Sequence, residues 1–424
     1  MSRQPFTQQA FDDTISTWLD ERAGGPAPDS VVDRALARTS TTRPLPRWRL
    51  LERWVPAGLT TGLAPLRPVV VVAAVLLILA ALAVFVVGSQ RRLPPPFGLA
   101  QPGAVAFVAD GQIWTADPDG SDRIQLTFDS RLAVGPQFSR DGTRIVFKRL
   151  SIEGSRPNWQ EWGDVVVVDA DGRNEIVLDT DGLGISPISW SGDGSFIVYS
   201  RIVDGIDQLI VAATDGSSTR VLTTGPDGNW AAALSPDGGT VAFVKGYPDL
   251  IGIYAISLDG TNERRLSTVP MRFVDGMDWS LDGRTLLFSA GDAEKFSEAI
   301  YAVGPDGPPE HVFTDRLGND QAPAWSPDGT QVAFLAATSD QSTVMVAAAD
   351  GSAPKAISIL AYWTAPQWSP DGLHVLAVDA RTGGGKPTVA ILDPSGREPT
   401  TTFALPDVSG FGRADTPSWQ RLAP

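Results

Sequence analysis

From residue 103 onward, short runs of alternating apolar and polar residues are separated by Asp-Gly pairs, and the arrangement recurs along the chain. QAPAWSPDGTQVAFLA at 321–336 is one copy; VGPQFSRDGTRIVFKR, ISPISWSGDGSFIVYS and TAPQWSPDGLHVLAVD are close variants. Alternation with a period of two places every second side chain on one face, which is typical of a half-buried β-strand. Each copy contains four such runs, so the pattern predicts a four-stranded unit.

The Asp-Gly pairs predict the tight turns of each unit. Asp can accept a hydrogen bond from the backbone that follows it, and Gly adopts positive φ without a Cβ clash. The first series has its aspartates at Asp141, Asp193, Asp237, Asp282, Asp328 and Asp371. The second series has Asp119, Asp171, Asp215, Asp259, Asp306 and Asp350, with Ser395-Gly396 in the same place. Four strands in about 40–45 residues is the size of one β-propeller blade.

The two ends of the repeat region predict how the ring closes. Residues 103–127 supply three strands without a Trp-Ser strand, whereas the last residues, DTPSWQRLAP, supply a Trp strand with nothing after it. Joined, they complete one blade. We therefore expect an all-β, seven-bladed propeller, closed by Thr416–Arg421 pairing beside Ala104–Val108. Closure removes open sheet edges that would favour aggregation.

The repeats AWSPDG, QWSPDG and ALSPDG, with their partner IYAISLDG, resemble those of TolB-like β-propellers, which are relatives of WD-repeat proteins. The resemblance covers residues 103–424, about three quarters of the chain. It is specific for the fold and implies only a broad function, that of a binding or scaffold module. The recurring Trp190, Trp279, Trp325, Trp368 and Trp419 are expected in the core between blades.

A different pattern precedes the repeats. Val69–Val87 has 19 residues without a polar side chain, and at 1.5 Å per residue it spans about one bilayer core. The alternative is the apolar part of a signal peptide, but 67 residues precede it and no small-residue cleavage site follows it. We expect four segments: a cytoplasmic tail (1–67), a single-pass transmembrane helix (68–88), a Pro-rich linker (89–102) and the propeller (103–424).

Flanking charge predicts the orientation. Arg47, Arg49, Arg53 and Arg67 precede the apolar segment, and Arg91 and Arg92 follow it. The positive-inside rule then places the N-terminus in the cytoplasm and the propeller outside the plasma membrane. The tail contains two short helical patterns, at 11–25 and 28–39, and a basic, aromatic stretch typical of a membrane interface.

Composition excludes several kinds of chemistry. The chain has 424 residues, no cysteine and a net charge of −15. Residues 1–67 carry a net charge of +2, so the negative charge lies in the rest of the chain. An acidic propeller disfavours nucleic acid, and cysteine-based sites are impossible. Neither His311 nor His374 accompanies a Gly-x-Ser-x-Gly elbow, and DPDGSD at 117–122 does not fit a calcium loop. We therefore predict no catalytic, metal or cofactor site.

Candidate binding residues lie in the variable loops between blades and in the longest loop inside a blade. The loops combine aromatic and Arg side chains, which are the types enriched where binding energy concentrates. For any one of these rings, plugging the channel or padding a loop is the alternative. The candidates are Phe128, Arg131, Arg156, Trp159, Trp162, Trp230, Arg272, Phe273, Arg316, Tyr362, Trp363, Phe411 and Arg413.

The sequence as a whole predicts a non-enzymatic, membrane-anchored propeller that binds a protein, peptide or glycan at this loop face. The first alternative is a transmembrane regulator of anti-sigma-like layout, in which residues 1–40 bind a cytoplasmic partner. The tail lacks the His and Cys of the zinc-binding anti-sigma type. The second alternative, a hydrolase-type enzyme, lacks a catalytic set in the sequence.

Overall fold

The structure is a computed structural model. It describes residues 97–150, 162–183, 187–246, 251–269, 271–292, 298–313, 319–338, 341–358, 363–379, 387–396, 401–404 and 416–423. Within these ranges no helix is long and apolar enough to cross a bilayer. The predicted tail, the apolar segment 69–87 and most of the linker lie outside the described residues.

The described strands form seven four-stranded antiparallel units, or blades, numbered here in chain order. Blade 1 consists of β28 (Ser418–Leu422), β1 (Gln101–Ala109), β2 (Gln112–Ala116) and β3 (Ile124–Gln125). Blade 2 consists of β4 (Ala133–Phe138), β5 (Arg144–Leu150), β6 (Trp162–Asp169) and β7 (Ile176–Leu183). Blade 3 consists of β8 (Ser189–Trp190), β9 (Phe196–Val203), β10 (Ile206–Ala213) and β11 (Thr219–Val221).

Four further blades complete the ring. Blade 4 consists of β12 (Asn229–Leu234), β13 (Thr240–Lys245), β14 (Gly252–Ser257) and β15 (Arg264–Arg265). Blade 5 consists of β16 (Met271–Trp279), β17 (Leu286–Asp292), β18 (Glu298–Gly304) and β19 (Gly307–Val312). Blade 6 consists of β20 (Asn319–Trp325), β21 (Gln331–Ala337), β22 (Ser342–Ala348) and β23 (Lys355–Ala356). Blade 7 consists of β24 (Gln367–Trp368), β25 (Val375–Asp379), β26 (Thr388–Leu392) and β27 (Thr401–Ala404).

The predicted closure of the ring by its two terminal strands is confirmed. Strand β28 pairs antiparallel with β1, where Val105 faces Trp419 and Ala106 faces Ser418. The observed strands differ slightly from the predicted bounds, since β1 begins at Gln101 and β28 ends at Leu422. Blade 1 therefore takes its first strand from the end of the chain and its other three from the beginning of the repeats.

Seven clusters of buried apolar side chains hold the ring together, one at each interface between successive blades. The cluster at the closing interface combines Phe107 and Trp419 of blade 1 with Leu376 of blade 7. Since the blades bury their faces against one another, no single blade has a core of its own.

One aromatic side chain recurs in the second strand of each blade except blade 7, where Ala377 takes the place. These rings are almost fully buried, and burying each one contributes about 1.5–3 kcal/mol. They are Phe107, Phe147, Tyr199, Phe243, Phe288 and Phe334.

The recurring tryptophans lie between blades, as the sequence predicts. Trp190, Trp279, Trp368 and Trp419 are buried, and Trp325 is partly buried against the cluster of blades 5 and 6. Two of the indoles also donate across the interface to a carbonyl of the preceding blade. Trp279 Nε1 lies 3.1 Å from Ala233 O, and Trp368 Nε1 lies 3.0 Å from Ala324 O.

Blades 2 and 3 are joined more closely than the other pairs. Strand β7 extends far enough to pair with β9 at Gly182 and Arg201, so that eight strands form one sheet. Beside this pairing, Tyr199 of blade 3 donates its hydroxyl to Asp179 Oδ2 of blade 2 at 2.5 Å. Arg201 Nη1 lies 3.0 Å from the same carboxylate. A buried network of charged and hydroxyl groups therefore adds to the apolar cluster between these two blades.

Candidate binding faces at the two ends of the ring

The chain path gives the ring two chemically different ends. In blades 2 to 7 the turn between the first and second strands and the turn between the third and fourth strands both lie at one end, which we call the Asp-Gly end. The connections between blades, such as 126–132, and the loops between the second and third strands lie at the other end, which we call the loop face.

At the Asp-Gly end, the first turn of blades 2 to 7 is held by a serine whose role the sequence did not reveal. Its hydroxyl donates to the Asp Oδ1 of the turn at 2.5–2.7 Å and accepts the N–H of the fifth residue after it at 2.9–3.0 Å. The six buried serines are Ser139, Ser191, Ser235, Ser280, Ser326 and Ser369. The signal was present, because Ser precedes Asp by two residues in every first-series turn.

In two of these turns the hydrogen bonds also favour the ionised form of the aspartate. The hydroxyl of Ser235 holds the pKa of Asp237 below its usual value, and that of Ser280 does the same for Asp282. The following glycine has positive φ in each of these turns, for example 70° at Gly142 and 71° at Gly238.

At the loop face, six of the predicted binding residues lie outside the described residues. They are Arg156, Trp159, Arg316, Tyr362, Phe411 and Arg413. Trp162 is described as the first residue of β6, without its side chain. That these seven residues contribute to binding stays a prediction.

The connection between blades 1 and 2 is the best defined part of the loop face. Gln112 Nε2 donates to the carbonyls of Asp129 and Arg131 at 2.9 and 3.1 Å, and Asp129 Oδ1 accepts the N–H of Arg131 at 3.0 Å. The loop is thus held at the carbonyls of Asp129 and Arg131. Phe128, the preceding residue, projects from it with 79% of its surface exposed.

Ion pairs with residues of strands β5 and β6 also hold this loop. Arg131 Nη1 lies 2.8 Å from Asp164 of strand β6, and Arg149, almost fully buried, lies 3.4 Å from Asp129. Arg149 Nη1 also donates to Glu175 at 3.0 Å. Hydrogen bonds from Arg131 hold the pKa of Asp129 below its usual value. Arg131 is therefore engaged in positioning the loop that carries Phe128.

The other described candidates divide into packed and exposed side chains. Trp230 packs partly buried on the cluster of blades 4 and 5, and Trp363 packs on that of blades 6 and 7. Phe273 is 44% exposed, and its ring lies across Gly291, where a Cβ would come within 2.1 Å of it. Arg272 beside it is exposed. Trp230 and Trp363 therefore fit the padding alternative, while Phe128 and the Arg272–Phe273 pair offer surface to a partner.

The first strands of successive blades are joined by hydrogen bonds. In each, the side chain one residue before the recurring Trp accepts a backbone N–H of the next blade. Ser418 Oγ accepts the N–H of Phe138, and Ser189 Oγ accepts that of Leu234. In blade 5 the acceptor is a carboxylate: Asp278 Oδ2 accepts the N–H of Trp325 at 2.7 Å. Burial raises the pKa of Asp278 to about 6, although this N–H and the charge of Arg140 act in the opposite direction.

Within the described ranges, no group of three or more His, Asp or Glu side chains is arranged to hold a metal ion. The described part of the loop face exposes two aromatic rings and a guanidinium group, at Phe128, Phe273 and Arg272. No family model matches the chain. Individual proteins are similar to it in the sequence of the repeats and in the structure of the ring.

By sequence, the repeats are similar to TolB proteins. A TolB homolog of Chlorobium luteolum is 33% identical over 147 residues, which is 34% of this chain and 32% of the relative. The Tol-Pal system protein TolB of Francisella tularensis subsp. tularensis is 26% identical over 188 residues, 43% of this chain and 42% of the relative. The chain thus spans a third to two fifths of the length of these curated relatives.

By structure, the ring superposes on TolB from Acinetobacter baumannii with a TM-score of 0.50 at 17% identity, over 74% of this chain and 81% of that one. It also superposes on oligogalacturonate lyase from Vibrio parahaemolyticus with a TM-score of 0.53 at 15% identity, over 72% of this chain and 94% of the other. At such identities the likeness shows the fold alone. The chain forms a TolB-like seven-bladed propeller.

Proposed function

We propose that this chain is a non-enzymatic, membrane-anchored binding or scaffold module, and that it docks a protein partner on the loop face of its propeller. The single observation that carries the proposal is Phe128, exposed on a loop that Gln112 and Arg131 hold in place. The similarity of the repeats to TolB proteins supports a protein as the partner, since one such relative is a component of the Tol-Pal system.

Phe128 has the properties of a binding anchor. A Phe ring brings a large apolar surface, and its side chain has few rotamers to lose on binding. Its loop is already ordered by three hydrogen bonds, so a partner that covers the ring does not have to order the backbone as well. Arg272 and Phe273 add an exposed guanidinium and ring to the same face.

The membrane anchor in this proposal rests on the sequence. The apolar run 69–87 has the length of a bilayer span, and its N-terminal flank, residues 47–67, has four Arg against two in the flank that follows it. This arrangement supports a cytoplasmic N-terminus and an extracytoplasmic propeller. Protease added outside intact cells is then expected to cut the propeller and to spare an N-terminal tag. Protection of the propeller would contradict the orientation, and release of a form that begins near residue 84 would contradict the anchor.

The binding face is tested with the full-length protein in its own membranes. A photoreactive Phe analogue at position 128 is expected to cross-link one protein partner, which mass spectrometry then identifies. Phe128→Ala is expected to reduce retention of that partner about tenfold or more, as for an interface hot spot. Leu373→Ala is the matched control, because Leu373 is 65% exposed and lies at the Asp-Gly end. Partner retention that depends on Leu373 and not on Phe128 would refute the loop face as the docking site.

A further inference from the structure

A carboxylate without a partner lies on the loop face, at the junction of blades 3 and 4. Asp207 is the second residue of β10, just after the hairpin turn Asp204-Gly205, and it is half-buried. Its Oδ1 is enclosed and has no hydrogen-bond partner, and none of the ion pairs among the described residues includes Asp207. Burial raises the pKa of Asp207 above its usual value. An ionised carboxylate in this position is therefore costly in the free protein.

A glycine leaves a niche beside this carboxylate. A Cβ built on Gly228, in the connection between blades 3 and 4, would lie 3.9 Å from the Cβ of Asp207. It would also lie 3.3 Å from Cζ3 and 3.6 Å from Cε3 of Trp230. Trp230 packs on the cluster of blades 4 and 5, but all three residues stay partly exposed. The niche is thus bordered by a carboxylate and an aromatic ring, and it is open to solvent.

Buried hydrogen bonds hold the walls of this niche in place. Asn229 Nδ2 donates to Gln208 Oε1 at 3.0 Å and to the carbonyl of Asp227 at 2.8 Å. Gln208 Nε2 donates to the carbonyl of Gly225 at 3.2 Å. Gln208 and Asn229 are both buried. A group that enters the niche therefore meets a preformed site and does not have to order the backbone around it.

We propose that the niche between Asp207 and Trp230 binds a guanidinium group, the side chain of an arginine of the docked protein partner. A guanidinium packs its flat face on an aromatic ring, and its in-plane N–H groups donate to a carboxylate. The acceptor is Oδ2 of Asp207, since only Oδ1 is enclosed. Binding would give the carboxylate the positive charge that the free protein does not provide. The assignment of this arginine to a partner rests on the proposed docking at the loop face.

The test compares n-butylguanidinium chloride with n-butylurea, which has a similar shape and no charge. The full-length protein in detergent carries 5-fluorotryptophan, and Trp230→Phe identifies the Trp230 signal in the fluorine NMR spectrum. At constant ionic strength, n-butylguanidinium is expected to shift this signal in a saturable way. The urea is expected to bind at least about tenfold more weakly, because it lacks the charge-assisted hydrogen bond. Equal binding of the two compounds, or no saturable shift, would refute the proposal.

Three variants then locate the site. Asp207→Asn is expected to abolish the shift. Since it removes a half-buried charge without a partner, it is also expected to raise the urea concentration at the midpoint of unfolding at neutral pH. Gly228→Ala keeps the charge but fills the niche with a methyl group, and it is expected to abolish the shift as well. Asp204→Asn is the matched control, because it removes the same charge from an exposed residue of the adjoining hairpin, and it is expected to change neither measurement.

Three results would contradict the site. Loss of the shift in Asp204→Asn as well would mean a diffuse electrostatic effect. A lower urea midpoint in Asp207→Asn would show that this carboxylate stabilises the free protein, and therefore that it is not an unpaired charge. Tighter binding of n-butylammonium than of n-butylguanidinium would assign the niche to a lysine and overturn the guanidinium.

The niche and the docking at the loop face can fail independently, because n-butylguanidinium binds without a partner. Phe128→Ala is expected to bind n-butylguanidinium as the unaltered protein does. Asp207→Asn is expected to reduce retention of the cross-linked partner about tenfold, as for loss of one member of a charge pair. Retention that depends on Phe128 and not on Asp207 would support the docking face and overturn the assignment of the niche to the partner. Binding of n-butylguanidinium together with retention that depends on Leu373 would support the niche and refute the docking face.

Discussion

Gly142 of blade 2 lies directly against the backbone of Arg421 in blade 1. A Cβ on Gly142 would come within 1.9 Å of the Arg421 carbonyl oxygen, and Gln420 Nε2 donates to the Gly142 carbonyl at 2.8 Å. Strand β28 is therefore held on one side by pairing with β1 and on the other by this turn. The first turn of the first Asp-Gly series, Asp141-Gly142, thus takes part in closing the ring.

Gly142→Ala is expected to destabilise the propeller by several kcal/mol, of order 3 or more, because backbone must move to admit the methyl group. The measurement is urea unfolding followed by intrinsic tryptophan fluorescence. The tryptophans at the closing interface, among them Trp419, should then become exposed at lower denaturant.

Gly238→Ala is the matched control for this effect. Gly238 occupies the same place in the turn of blade 4 with φ of 71°, against 70° at Gly142, but nothing lies within 4 Å of its added Cβ. The cost there is expected to be only that of an alanine at positive φ, about 1–2 kcal/mol. Equal losses in the two variants would contradict the contact between Gly142 and Arg421.

Ser326→Ala tests the serine that holds the turns. The hydroxyl of Ser326 donates to Asp328 at 2.6 Å and accepts the Gln331 N–H at 2.9 Å, and it is buried. Its removal leaves an N–H without an acceptor, at a cost of about 1–3 kcal/mol by thermal or urea unfolding. Ser352→Ala, in the exposed second turn of the same blade, is expected to cost under about 0.5 kcal/mol. A larger loss from Ser352 would show that burial of the turn is not the cause.

Tyr199→Phe tests the polar contact between blades 2 and 3. The ring should fit, because Phe occupies this place in other blades, but Asp179 loses the hydroxyl donor that lies 2.5 Å away. Since the acceptor is a buried carboxylate, the loss is expected to be about 1.5–3 kcal/mol. Tyr254→Phe, a half-buried tyrosine of blade 4 without a hydrogen bond from its hydroxyl to a described residue, should be nearly neutral. Similar stabilities of the two variants by urea unfolding would show that the Tyr199 hydroxyl does not stabilise this interface.

Much of this fold was predictable from local signals in the sequence. The period near 45 residues gives the seven blades, Asp328-Gly329 and its equivalents give the turns, and Trp368 marks the interface between blades. The turn and interface signals lie within a few residues of the features they predict, and the period repeats along the chain. The closing strand was also predictable, since Trp419 had no following strands of its own.

Other features depend on contacts between blades and left little trace in the sequence. The pairing of Gly182 with Arg201 and the bond from Tyr199 to Asp179 require knowing which faces of two blades meet. The first strands of blades 4 and 6 each contain an alanine with positive φ, which is 54° at Ala231 and 50° at Ala322. Alanine gives no signal of such a conformation, whereas the glycine at the equivalent position of blade 2, Gly135, does.

The binding candidates show the same division. Residue type and loop position selected Trp230 and Phe128 alike, yet one packs on the core and the other is exposed. The difference arises from the neighbours, since the hydrogen bonds of Gln112 fix the loop so that Phe128 points outward.

Asp278→Asn gives a prediction about pH. Asn keeps an oxygen that can accept the Trp325 N–H but carries no charge. Because burial raises the pKa of Asp278 from 3.8 to about 6, the folded state binds this proton more tightly than the unfolded state does. Stability from this group is therefore present below about pH 4 and is lost as the pH rises to about 6. The Asn variant should gain stability relative to the unaltered protein across this window.

The measurement is urea unfolding of both proteins at pH 4, 5, 6 and 7, and the quantity compared is the difference between their unfolding free energies. Other carboxylates, such as Asp237 and Asp282, titrate in both proteins and cancel in that difference. The pKa of Asp278 rises by about two units, from 3.8 to about 6. At about 1.4 kcal/mol per unit, the upper limit of the difference is about 3 kcal/mol, and a smaller value is expected because Asp278 is only half-buried. A difference that stays constant from pH 4 to 7 would show that Asp278 does not hold a proton in the folded ring.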